Sequence, residues 1–88
     1  MSYPRPMKRP GTVVDVSKNK AALAVSNEEG WTVVELIGSE GKIAVGDTVF
    51  ARDWLAVGSE DIIFNDEVFG AYFRGTGDRQ WALGQIDH

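Results

Sequence analysis

The sequence predicts an all-β domain folded as a small barrel of five to six short strands, and three observations carry that expectation. Segments rich in β-branched and aromatic residues recur with period-two alternation, glycine and polar clusters separate them at short intervals, and helical signals are scarce. With 43% hydrophobic and 25% charged residues, the 88-residue chain has the composition of a folded protein and the size of one domain. It contains no cysteine, so apolar burial alone must hold it together.

Residues 1–10 contain all three prolines, Pro4, Pro6 and Pro10, beside Arg5, Lys8 and Arg9. Proline lacks the ladder donor, so a flexible basic arm is expected ahead of a single barrel domain over 11–88. Thr12 to Val16 is a β-branched strand that ends at the polar tetrad Ser17-Lys18-Asn19-Lys20, a hairpin turn. In the strand that follows, Leu23 and Val25 share one face while Ala22 and Ala24 leave the other face small, which implies close approach of another part of the molecule. Trp31 to Ile37 is the strongest strand signal and is expected to be central.

The glycine-bounded stretch Gly38 to Gly46 reads as a loop. Asp47 to Trp54 reads as a fourth strand with Phe50 and Trp54 on one face. Ile62-Ile63-Phe64 and Val68 to Arg74 flank Asn65-Asp66-Glu67 as a hairpin whose faces divide Phe69 and Phe73 from Tyr72. Arg74-Gly75-Thr76-Gly77-Asp78-Arg79 reads either as a flexible loop or as a cradle of amides and guanidinium groups for a phosphate. The final segment, Gln80 to Ile86, is open between strand and helical turn.

The layout of Thr12-Val13-Val14-Asp15-Val16, Ala21 to Ser26, Trp31 to Gly38 and Gly46-Asp47-Thr48-Val49, each after a turn or glycine loop, resembles the first four strands of OB-fold barrels, including cold-shock and ribosomal-type RNA-binding modules. It is also similar to a group of small bacterial OB-like proteins, a resemblance that implies a fold and no activity. An SH3-like barrel is the alternative, because both folds use about five short strands. Cold-shock proteins carry aromatic RNA-contact motifs on strands two and three, and this chain has Lys20-Ala21-Ala22-Leu23-Ala24-Val25 where the first would stand. A stacking platform on that strand, worth about 1–3 kcal/mol per base where it exists, is therefore absent.

Charge is unevenly distributed. Residues 1–20 sum to +4 and residues 21–88 to −8, for a net charge of −4. A polyanion would thus be met at the N-terminal arm and first hairpin. Catalysis is not expected: the single histidine, His88, is the last residue, and no Ser-His-Asp or Cys-His set can be assembled. The carboxylates Glu60, Asp61, Asp66 and Glu67 surround the last hairpin at spacings that fit no cation loop, and read as solvated charges that protect strands from unwanted pairing. No cofactor or metal is expected. The apolar runs are too short to span a bilayer, no secretory pattern follows the N-terminal charges, and a cytoplasmic address is the default expectation.

Two function classes follow. The first is a non-catalytic module for single-stranded RNA or DNA, with Lys8, Arg9, Lys18, Lys20, Arg52 and Arg74 on phosphates and Trp31 as a stacking surface. The second is a protein-interaction or self-associating module that buries Trp54, Tyr72 or Trp81 against a partner. Rings as large as Trp31, Phe50, Trp54, Phe64, Phe69, Phe73 and Trp81 cannot all be central among the roughly dozen inward side chains of so small a barrel, so some are expected outside it, unless the segment around Trp81 folds back to cover them.

Overall fold

Alternating β-branched residues build six strands in the computed structural model, which describes residues 8–86. β1 (Arg9–Val16), β2 (Ala22–Asn27) and β3 (Gly30–Leu36) form one antiparallel meander, and β4 (Thr48–Ala51), β5 (Gly58–Phe64) and β6 (Glu67–Gly77) form a second. β3 pairs with β6 and β1 with β4, both antiparallel, so the order β1-β2-β3-β6-β5-β4 closes into a barrel. Closure leaves no sheet edge, and no strand is central; Trp31 to Leu36 lies between β2 and β6. Residues 1–7 of the expected arm and His88 lie outside the described residues; Arg9 and Pro10 belong to β1.

The interior is filled by Val13, Leu23, Val25, Val34, Leu36, Val49, Ile62, Ala71 and Phe73, each from an inward position of its strand. Ile43 enters from the loop between β3 and β4. Trp54 is fully buried, which corrects its expected place on an exposed face. β4 ends at Ala51, and the chain turns before reaching Trp54, so the alternation that puts Phe50 outside does not carry through. Instead Trp54 folds into the barrel, stacks on Phe73 with ring centroids 5.9 Å apart, and donates its indole N–H to the Arg9 carbonyl at 3.0 Å.

The turn that delivers Trp54 is tied from behind. The hydroxyls of Thr32 and Thr76 both donate toward the Trp54 carbonyl and lie 2.7 Å from each other, and the Asn27 side-chain amide donates to Thr32 at 2.9 Å. Thr32 is buried, and this network satisfies it.

The final segment is helical. α1 (Arg79–Gly84) starts at Asp78, whose side chain accepts the Trp81 N–H at 2.8 Å. A six-residue helix has no stability of its own. It is held by a second core in which Ala82 and Ile86 bury against Ala24 and Val33, with Ala22, Trp31, Trp81 and Leu83 at the margin. The small outward residues Ala22 and Ala24 thus have their reason. The run Arg74 to Gly77, read above as a loop, is the end of β6. Arg74 is an extra residue opposite the step from Val33 to Val34, and this bulge allows both Phe73 and Thr76 to face inward. Gly75 and Gly77 then present bare backbone to Trp81, and a methyl on Gly77 would fall 2.9 Å from its ring.

Candidate interaction surface

The expected nucleic-acid residues do not converge. Lys8 and Arg9 stand at the start of β1, Lys18 and Lys20 just beyond its end, and a strand of eight residues separates the two pairs by about 25 Å. Arg52 follows β4, whose end pairs with Arg9, so it joins the first group. Arg9 is engaged by Glu28 at 2.7 Å; that hydrogen bond, then the Glu28 charge, raise the pKa of the guanidinium, with smaller contributions from Glu29 and Asp53. Arg74 is paired with Glu35 across β3 and β6.

At the other end of the barrel, Lys20 lines a groove of about 360 Å³ with Val16, Gly41, Ile43, Ala44 and Val45. Lys18 and Lys42 flank it in sequence, but Asp15, Glu40 and Asp47 occupy the same end, so it carries no net positive charge. Trp31 does not stand free on the barrel surface. It lies half-buried beside α1, with the Arg79 guanidinium 5.9 Å from its centroid. Of the residues expected to bury against a partner, Trp54 is in the core, Trp81 is seated on Gly75 and Gly77, and Tyr72 alone is exposed, at 47%.

Tyr72 belongs to a surface that sequence reasoning did not assemble. α1 covers the outer side of β2, β3 and the end of β6; the outer side of β4, β5 and the first half of β6 has no covering element among the described residues. There the registers place Pro10 opposite Phe50, Phe50 opposite Ile63, and Ile63 opposite Val68, one apolar row across four strands. Phe50 and Ile63 are half-buried and Val68 is 62% exposed. Two residues along β6, Gly70 has open space where a side chain would stand, and a recess of about 260 Å³ forms there, lined by Ile37, Ser59, Glu60, Asp61 and Ala71. Ile37 and Tyr72, both largely exposed, stand beside it.

No family model, curated protein or solved structure matches the chain. The surface therefore has to be read from its own chemistry. Among the described residues no three acidic or histidine side chains come together to hold a metal ion, and Glu60, Asp61, Asp66 and Glu67 are all exposed. No helix among those residues is long and apolar enough to cross a membrane.

The signal for this surface was present in the sequence as outward positions of the β5–β6 hairpin. Its partners Phe50 and Pro10 were not visible, because the pairing of β1 with β4 and of β4 with β5 joins residues 40 and 13 positions apart.

Proposed function

We propose that this protein is a non-catalytic, OB-like interaction module that binds a protein partner through the outer face of β4, β5 and β6. The observation that carries the reading is the row Pro10–Phe50–Ile63–Val68 beside the Gly70 recess, an apolar surface left open while α1 covers the face used for stacking in the barrels this chain resembles. Exposed contiguous apolar surface on a small domain marks an interaction site more often than it marks chance. Tyr72 supplies the aromatic anchor that such sites favour. Single-stranded nucleic acid is the weaker reading, because the cations expected to meet phosphates are divided between the two ends of the barrel and two of them are paired with carboxylates.

The test is co-migration in size-fractionated extract of cells that make the protein naturally. The unaltered chain is expected in a complex larger than its own mass, a Val68→Asp variant at the position of the free chain, and a Lys20→Glu variant with the complex. A chain that migrates free in all three forms contradicts the proposal.

A further inference from the structure

The charge of this face narrows what can dock on it, given the reading above. Residues 58–67, which span β5, its turn and the first residue of β6, contain Glu60, Asp61, Asp66 and Glu67 and no lysine or arginine. Those four charges equal the net charge of the entire chain, so the other residues are neutral on balance. Their placement is as telling as their number. Asp61 is opposite Gly70 and two residues from Ile63 on the same outward side, Glu60 joins it at the recess, and Asp66 stands at the hairpin tip beyond Val68, while Glu67 alternates onto the other side of β6. The pair Ile63–Val68, half-buried and exposed respectively, therefore has Asp61 on one side along the strands and Asp66 at the hairpin tip on the other. All four are exposed, and none has an ion pair among the described residues.

We infer that the partner is a basic protein segment that lays apolar side chains on Ile63, Val68 and the Gly70 recess and sets lysine or arginine against the carboxylates on either side. A second copy of the chain is disfavoured, since a face-to-face pair would bring two identical acidic hairpins together. A phosphate backbone is repelled for the same reason.

The probe is a fluorescein-labelled octapeptide, Gly-Lys-Leu-Lys-Gly-Lys-Leu-Lys, titrated with the protein at low salt and read by anisotropy. Two further peptides replace its lysines by glutamate or its leucines by serine. Saturable binding of the first peptide is expected, at least about tenfold weaker binding of the serine peptide, and none of the glutamate peptide.

Two variants of equal charge then localise the effect. Glu60→Gln with Asp61→Asn is expected to weaken binding by about tenfold, and Glu29→Gln with Glu40→Gln by less than about twofold. Ile63→Ser with Val68→Ser, which leaves the charge unchanged, is expected to weaken it as much as the first pair. Equal losses in the two charge variants, or equal binding of the glutamate peptide, would overturn the inference. So would a complex in cell extract that depends on Val68 while none of the peptides binds, an outcome that keeps the docking face and rejects a basic partner.

Discussion

A methyl group placed on Gly11 would fall 2.9 Å from Cζ2 of Trp54 and 2.5 Å from Cγ1 of Val25. The largest buried side chain in the protein fits into the barrel because β1 has no side chain at that point. Gly11→Ala is expected to destabilise the fold by about 1–3 kcal/mol, the usual cost of overpacking. Urea unfolding measures it, and adding Val25→Ala should recover part of the loss by removing the nearer clash. Trp54→Ala should cost about 3–5 kcal/mol.

Gly77 plays the same part for the second core. Gly77→Ala puts a methyl against the Trp81 ring and is expected to cost about 1–3 kcal/mol while loosening α1, seen as a red shift in tryptophan emission. Gly84 meets nothing within 4 Å and lies at the end of the helix. Gly84→Ala should leave stability unchanged or raise it by up to about 1 kcal/mol through helix propensity.

Among the described residues, three other than glycine occupy the left-handed region: Lys20 at φ 67°, Asn65 at 55° and Asp66 at 64°. Asn65 and Asp66 form a two-residue hairpin turn, one residue shorter than expected, with the paired positive φ that suits Asn and Asp. Lys20 has no such aptitude. Its conformation is imposed by its neighbours: its own N–H donates to the Ser17 carbonyl and its carbonyl accepts from Gly41. Lys20→Gly is expected to raise the unfolding free energy by about 0.5–1 kcal/mol, and Lys20→Ala to leave it unchanged.

Alternation was enough to place β2 and β3 and to divide Phe69 and Phe73 from Tyr72, and β-branched composition placed β1 although a bulge at Val14 breaks its period. It failed where the backbone breaks phase. Trp54 sits in step with Phe50 in the sequence but beyond the end of β4, and Arg74 is a bulge that no local pattern announces. Gly75 and Gly77 resembled a flexible loop because a glycine that makes room for a distant ring and a glycine that bends freely look alike in sequence. Ala22 and Ala24 did announce a close neighbour, though only the packed structure names it as α1. The basic cluster dissolved for a simple reason of length: β1 is long enough to carry its two ends apart.

Single-stranded DNA or RNA oligomers at low salt are expected to leave tryptophan emission unchanged. Trp54 is in the core, and Trp31 and Trp81 are half-buried against α1, Arg79 and the end of β6. Salt-sensitive quenching would show that α1 moves aside and would return nucleic acid to first place.

The most direct test is a photo-crosslinking map. A benzophenone amino acid is placed singly at positions 63, 68 and 72 on the open face and at 12, 42 and 80 elsewhere, and each chain is irradiated in the cells that make it. Adducts to one discrete protein from 63, 68 and 72, and none from the other three, are the predicted result. Adducts confined to 12, 42 or 80, or spread evenly over all six, would contradict the claim that β4, β5 and β6 form the docking face.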